Sequence, residues 1–474
     1  MAAQVSISPH DLQPYCQRIQ STSEAVDDAI SRAATAQKAW SALSLDERIA
    51  IGYKFVEEFT KLSERIPQEL TKMMGRPVSQ GAGEARGVVE RANYMLSIAA
   101  SSLADVPLKN TDKPGFRRFI KRVPLGVVLV IAPWNFPYLT AINSVLPALL
   151  AGNTVILKPS PQTPLSGERL SLALTQAGVP KDAIITLHLS PEMTTQAIQN
   201  PLVKFVSFTG SVVGGRAVEQ AAVNAPGFKG VALELGGKDP AYVRSDADLE
   251  YTVPELVDGA FFNSGQSCCA VERIYVHESI YDAFVARFVD IVKGYKLNNP
   301  YQEDTTLGPV VSLASADRIR KQVEDAVAAG AKALIPSDPY KRVDKPGTAF
   351  VQPQVLVDVN HAMDVMKEET FGPIVGIQKV ASDDEAVQLM NDSPYGLTAS
   401  IWTNAEANPA SEEAFLALEA RLETGTVFLN RCDYLDPALA WTGVKDSGRG
   451  ISLSKFGFDQ LTHAKSVHMK IKTS

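Results

Sequence analysis

Residues 264–272, SGQSCCAVE, set two of the chain's four cysteines side by side among small and polar neighbours. A zinc site requires further cysteine or histidine ligands at recognisable spacing, and none lies nearby. A vicinal disulfide is strained and disfavoured in a reducing compartment. A buried structural thiol remains open, since free cysteine packs as a small hydrophobe, and so does a nucleophile. The glycine, glutamine and serine before Cys268 favour the nucleophile, because they place it where a loop enters a helix. Such a setting lowers thiol pKa and exposes the sulfur. Cys269, one step further round, is expected to face the protein.

Other stretches carry groups suited to the same chemistry. In LELGGK, residues 233–238, Glu234 stands between apolar residues just before two glycines. Burial there raises a carboxyl pKa and suits it to general-base work, although a helix cap or a pair with Lys238 explains it equally well. In PWNFP, residues 133–137, two prolines fix the backbone around Asn135. Its amide is a candidate oxyanion donor, with an ordinary Asn turn as the plain alternative. Residues 209–215, TGSVVGG, form a glycine turn between a strand and a helix, where a diphosphate can approach the backbone. The run is not the GxGxxG fingerprint, and a simple glycine turn fits it on its own. Lys158 in LKPSPQTP ends a strand, so its ammonium either reaches a ribose or phosphate at the sheet's carboxyl edge or is merely solvated.

These groups need rigid elements to hold them. Residues 23–103 show apolar positions at helical spacing and read as amphipathic helices. From Phe116 the pattern turns to strands, and GVVLVIAP, TVILKPS, AIITLHL and VKFVSFTG then alternate with helical stretches. Short apolar strands separated by helices indicate βαβ units and a parallel sheet covered on both faces. A second α/β series follows VALELGGKDPAYV, with helices expected at residues 251–263, 283–295 and 314–329. Residues 336–347 read as a surface loop. The tail KSVHMKIK alternates again, and a terminal strand of this kind pairs with another segment or another subunit.

At 474 residues the chain exceeds one ordinary core, and about 150 residues per domain suggests two or three. A net charge of −7 gives no basic field for nucleic acid. Four cysteines cannot form a disulfide framework. The first twenty residues lack a signal or transit pattern, the final KTS is not a peroxisomal tripeptide, and residues 123–133 are too short and too proline-broken to span a bilayer. A cytoplasmic protein without membrane, metal or nucleic-acid partners is expected.

PWNFP, LKPS, FTGS, LELGGKDP, FFNSGQSCCA, EETFGPIV and GVKDSGRG, in this order across residues 133–450, resemble the aldehyde dehydrogenase superfamily. The resemblance implies an α/β fold with a Rossmann-type nucleotide-binding domain (residues 1–107 and 124–236) and an α/β catalytic domain (residues 237–450). A small β oligomerisation element (residues 108–123 and 451–474) completes it, in a homodimer or homotetramer. It assigns Cys268 as nucleophile, Asn135 and the Cys268 backbone N–H as oxyanion donors, and Glu234 as the base that hydrolyses the thioester. Coenzyme A-acylating relatives generally lack that glutamate, so hydrolysis to the acid is implied.

The resemblance further implies NAD or NADP as cofactor. Lys158 and Glu369 match ribose-contacting positions, Gly210, Ser211 and Gly215 the diphosphate turn, and Trp134, Leu235 and Phe371 neighbouring packing positions. Where NAD-preferring relatives carry a glutamate, this chain has Pro161, which leaves a 2′-phosphate unopposed and free to pair with Lys158. In the substrate tunnel Trp441 replaces a phenylalanine, Asn143 stands on the helix after PWNFP, and Ser267 and Cys269 flank the nucleophile. The leading expectation is a hydrolytic NAD(P)+-dependent aldehyde dehydrogenase. A dedicated succinate semialdehyde type is the alternative, and it requires an arginine such as Arg431 at the tunnel mouth. A catalytically silent protein on this fold is disfavoured, since nucleophile and base are both present.

Overall fold

The computed structural model describes residues 2–108 and 113–472. The amphipathic opening folds as four α-helices, Ser23–Ala42, Leu45–Leu62, Ile66–Met74 and Val78–Ser102. Ser44 and Glu47 start the second helix with a reciprocal capping box, which satisfies amides that a first turn leaves orphaned. The apolar stripes close over helix Pro137–Leu150: Trp40, Phe55, Phe59 and Leu96 share one core with Tyr138 and Leu149. The Trp40 indole donates to the Leu149 carbonyl at 2.9 Å.

Six strands form the first sheet, in the order Gly448–Arg449, Gly230–Glu234, Val203–Thr209, Val127–Ile131, Thr154–Lys158, Ile184–Thr186. All run parallel except Gly448–Arg449, which pairs antiparallel with Gly230–Glu234. Val127–Ile131 is buried throughout, as a continuous β-branched run demands when helices cover both faces. Its neighbours are later strands on either side, so the strand order reverses there. The crevice at such a switch point lies beyond the strands' carboxyl ends. PWNFP and the TGS turn both begin at those ends.

The second sheet has seven strands, in the order Lys332–Ala333, Gln354–Val357, Ile374–Val380, Val271–His277, Asp239–Val243, Thr398–Trp402, Thr426–Leu429. Only the edge strand Lys332–Ala333 is antiparallel. The expected helices appear as Leu249–Phe261, Tyr281–Lys293 and Leu313–Ala328. Residues 336–347 form a loop pinned by Tyr340, whose hydroxyl donates to the Tyr295 carbonyl.

The tail strand Thr462–Lys470 pairs along its length with Phe116–Pro124 of the same chain, and Val106–Pro107 takes the other side. Residues 109–112 and 473–474 of the expected oligomerisation element lie outside the described residues, as does Met1. An N-terminal hairpin, Ala3–Ile7 with Pro14–Ile19, has no counterpart among the sequence expectations. Its alternation is short and bounded by Pro9 and Pro14, which weakens any strand signal. Among the described residues no helix is long and apolar enough to cross a membrane.

Candidate active site

Helix Leu249–Phe261 runs into the 3-10 turn Phe262–Gly265, where Asn263, Ser264 and Gly265 adopt left-handed φ angles of 52°, 56° and 70°. For a non-glycine residue this conformation costs roughly 1–2 kcal/mol, so surrounding bonds must hold it. Asn263 Nδ2 donates to the Gln266 carbonyl at 3.1 Å, Asn263 Oδ1 accepts from Arg76 Nε at 3.0 Å, and Ser264 Oγ donates to the Gly308 carbonyl at 3.0 Å. At position 265 a Cβ would stand 2.2 Å from the Gly372 carbonyl oxygen, so only glycine fits. The chain then turns through Cys268, which is half-buried, into strand Val271–His277. Cys268 therefore precedes a strand, which corrects the expected loop-to-helix setting. The small residues that suggested a helix entry serve the left-handed turn instead.

Asn135 follows strand Val127–Ile131 and is buried. Its Nδ2 donates to the Gln266 carbonyl at 3.3 Å, two residues before Cys268. Arg76, which no motif marked, fixes this corner. Its guanidinium is buried, pairs with Glu84, donates to the Asn135 carbonyl and lies 4.5 Å over the Phe136 ring. Glu84 in turn accepts the Tyr138 N–H at 2.8 Å, at the start of helix Pro137–Leu150, where a helix dipole favours an acid.

Glu234 ends strand Gly230–Glu234. It accepts Ser452 Oγ at 2.6 Å and Thr209 Oγ1 at 3.2 Å. Burial raises its pKa above the ordinary carboxylate range, against those hydroxyls and the charge of Arg91. Lys238 does not pair with it, being bonded instead to Glu272. Two cavities, of about 560 and 370 Å³, meet at Thr209, Glu234 and Cys268, which line both.

The smaller cavity lies at the switch point of the first sheet. Trp134, Asn135, Lys158, Pro161, Gly210, Ser211, Leu235, Glu369 and Phe371 line it. Ser211 caps helix Val212–Val223 by accepting the Gly214 N–H. A Cβ at Gly210 would reach 2.7 Å from the Phe208 ring, so glycine keeps this turn open. Burial pulls Lys158 down to about 8. Burial, then the charge of Glu272, pushes Glu369 up to about 8, and the Gly237 N–H donates to it at 3.1 Å. Phe371 meets Trp134 edge-on with ring centres 5.5 Å apart. Gly215 departs from expectation: it lies below the cleft against Leu235, where a Cβ would stand 2.7 Å from a methyl group. It is a packing glycine that lets helix and strand approach. The hairpin backs this cleft, with Ser6 Oγ donating to the Pro161 carbonyl at 2.8 Å.

The larger cavity is lined by Ser267, Cys268, Cys269 and Trp441, with Phe136, Leu139 and Phe262 as apolar wall. Cys269 is buried and donates to Asp433 Oδ1 at 3.0 Å, which also accepts Ser267 Oγ at 2.8 Å. Hydrogen bonding to Cys268, burial and the charge of Asp433 raise the Cys269 thiol well above its ordinary range, while burial pushes Asp433 up to about 6. Asn143 does not line the cavity, contrary to expectation. Arg91 covers it, donating to Asn143 Oδ1 at 3.1 Å and to the Leu139 carbonyl at 3.0 Å. Arg431 is also absent from the lining and lies 3.6 Å over the Tyr434 ring, whereas Arg86 and Arg91 face the cavity. Among the described residues no group of three or more His, Cys, Asp and Glu is placed to hold a metal ion.

A doubly wound sheet whose switch-point cleft opens onto a buried carboxylate at the end of one of its own strands, and onto a thiol just ahead of a strand of the second sheet, defines a two-sheet oxidoreductase. The chain belongs to the aldehyde dehydrogenase family, whose sequence profile matches residues 2–467. It is 36% identical over 405 residues to a succinate-semialdehyde dehydrogenase (NADP(+)) of Mycolicibacterium paratuberculosis, covering 85% of this chain and 83% of that one. It is 32% identical over 457 residues to the betaine aldehyde dehydrogenase of Bacillus subtilis, covering 94% and 90%. The structure of aldehyde dehydrogenase 21 from Physcomitrella patens in complex with the reaction product succinate superposes with a TM-score of 0.91 at 32% identity, covering 100% of this chain and 96% of that one.

Proposed function

We propose that this chain oxidises an aldehyde to its carboxylic acid with NAD(P)+, using Cys268 as nucleophile, Asn135 as oxyanion donor and Glu234 as hydrolytic base. The observation that carries this function is that Cys268 and Glu234 line both cavities. One sulfur is thus reachable from a substrate side and a cofactor side.

The smaller cavity fits a dinucleotide by the chemistry of its walls. Lys158 Nζ has no hydrogen-bond or ion-pair partner among the described residues and sits at the strand's carboxyl end. Lys158 and Glu369 would hold ribose hydroxyls, and Gly210 and Ser211 the diphosphate at a helix N-terminus. Trp134, Pro161, Leu235 and Phe371 would form the walls. When bound, NAD(P)+ supplies the hydride acceptor. Pro161 brings no carboxylate against a 2′-phosphate, which supports NADP alongside NAD.

Cys268 Sγ, as thiolate, attacks the carbonyl carbon and gives a thiohemiacetal, whose oxyanion the Asn135 amide and the Cys268 N–H stabilise. Asn135 is held for this by Arg76. Once the adduct has been oxidised to the thioester, Glu234 takes a proton from water and hydroxide character develops at the acyl carbon. A carboxyl whose pKa burial has raised is a stronger base than an exposed one. Ser452 and Thr209 orient it from either side.

Relatives named for succinate semialdehyde and betaine aldehyde act on substrates of opposite charge at the far end. The succinate semialdehyde type is the second reading here, favoured by Arg86 and Arg91 on the larger cavity, of which Arg86 has no ion-pair partner among the described residues. Residues 108–123 with 451–474 are read as the contact element of a homodimer or homotetramer, since Phe116–Pro124 and Thr462–Lys470 form a largely solvent-facing ribbon. Free cysteines throughout suit a cytoplasmic setting.

Cys268→Ala is expected to abolish aldehyde oxidation while NAD(P)+ still binds, read by steady-state NAD(P)H production and by calorimetric titration of the cofactor. Full activity in that variant refutes the assignment.

A further inference from the structure

We propose that Glu272 is a positioning residue for the cofactor: it holds the 369–371 turn in the conformation that presents Glu369 and Phe371 to the nucleotide cleft. Glu272 is the second residue of strand Val271–His277, four residues after Cys268, and is 3% exposed. Its Oε2 accepts the Thr370 N–H at 2.7 Å and its Oε1 the Phe371 N–H at 2.9 Å. Lys238, buried beside it, pairs with Oε2 and donates to Thr370 Oγ1 at 2.9 Å. The two side chains therefore clamp one short turn through backbone and hydroxyl together.

Burying an ion pair is seldom the best way to stabilise a core, since apolar residues of similar volume do as well or better. What this pair supplies is direction. Phe371 has a left-handed φ of 49°, a conformation a bulky residue keeps only where its surroundings over-determine it. A carboxylate gripping two successive amides does so, because both N–H vectors must converge on one group. Arg318 holds the same turn from outside, donating to the carbonyls of Glu369 and Thr370, but carbonyl contacts leave those two N–H groups without partners. Amides left unsatisfied in a dry interior are strongly unfavourable, so the turn follows Glu272.

Lys238 extends the device to the base. It follows Gly237, whose N–H binds Glu369, and Glu234 lies four residues upstream. One buried carboxylate thus registers the nucleophile's strand, the segment after the base and the cofactor turn. Losing it should displace Glu369 and Phe371 while leaving the substrate cavity's own walls in place.

The inference rests on the proposed function for the identity of the ligand, and its test is chosen to fail separately. NAD(P)+ is titrated calorimetrically into the full chain, which requires no turnover, and the KM values for cofactor and aldehyde are measured in parallel. In Glu272→Gln one amide N–H meets the new NH2 group, and the cofactor Kd is expected to rise about tenfold or more, with the aldehyde KM changing far less. Thr370→Val, which removes only the Lys238 link, should shift the Kd in the same direction by a smaller factor, and it decides the matter if Glu272→Gln does not fold. A Kd within twofold of wild type in Glu272→Gln, or a lowered thermal midpoint with unchanged Kd, overturns the proposal and leaves Glu272 a stabilising residue. Wild-type chain that binds NAD(P)+ but oxidises no aldehyde refutes the proposed function alone. Wild-type chain that binds neither cofactor refutes both.

Discussion

Arg76→Lys is expected to lower stability and turnover together, although it conserves the charge. The guanidinium is 1% exposed and serves three directions at once: Nε to Asn263 Oδ1, Nη1 to Glu84, and Nη2 to the Asn135 carbonyl. A lysine ammonium on a flexible stem can keep Glu84 but not the planar fork to the other two. Two lost hydrogen bonds from a charged donor, at about 1.5–3 kcal/mol each, put the deficit near 3–6 kcal/mol before relaxation. That is a large part of a typical folding free energy. The two orphaned acceptors sit on the left-handed turn ahead of Cys268 and on Asn135, the proposed oxyanion donor. A donor displaced by about 1 Å lowers rate about 100-fold, so kcat/KM should fall between about tenfold and 100-fold. Scanning fluorimetry reads the first effect, and NAD(P)H production by protein that remains folded reads the second. An unchanged thermal midpoint refutes the energetic argument. A lowered midpoint with unchanged kcat/KM refutes the claim that Arg76 holds Asn135 for catalysis.

Two pH experiments probe the remaining ionisable groups. Burial raises Glu234, so its basic form is lost as pH falls through that raised value, and the acid limb of kcat should lie above the ordinary glutamate range near ~4.3. Glu234→Gln should abolish that limb and show a burst of NAD(P)H followed by slow turnover; loss of the burst itself contradicts a role confined to hydrolysis. Lys158 is pulled down to about 8, so its ammonium is present below that pH and lost above it. KM for NADP+ should rise above pH 8 relative to KM for NAD+, and a constant ratio up to pH 9.5 refutes contact between Lys158 and a 2′-phosphate.

What could be read from sequence was local. Helical periodicity in residues 23–103, β-branched runs between glycines, and the prolines around Trp134 and Asn135 each act within a few residues, and the elements they imply are present. Cys268, Glu234 and Asn135 could be singled out because each lies in a short motif that shapes its own backbone. The misreadings are places where something distant decides. Asn143 is three and four residues beyond Thr140 and Leu139, hence on the right helical face. Arg91, 52 residues away, covers it. The small residues before Cys268 have the composition of a helix entry, yet Asn263 and Ser264 are held left-handed by Arg76, Gly308 and Gln266, so the turn leads into a strand. Gly215 has the spacing of a phosphate glycine but answers to the Leu235 side chain.

The same distinction explains why the supporting residues carry no motif. Arg76 and Asn263 are 187 residues apart, and Glu272 and Thr370 are 98. Glu84 stands only 8 residues after Arg76, but no motif joins the two, and Glu272 finds its ion-pair partner in Lys238, 34 residues away. In a folded chain a buried charge must be paired and bonded, so each such residue states where a distant segment has to be. Arg76 with Glu84 fixes Asn135 against the turn ahead of Cys268. Lys238 with Glu272 fixes the 369–371 turn against strand Val271–His277. The proposed reacting groups are thus specified locally by glycine, proline and small residues, while their mutual geometry is set by two buried ion pairs whose energetic cost is repaid in direction rather than in stability.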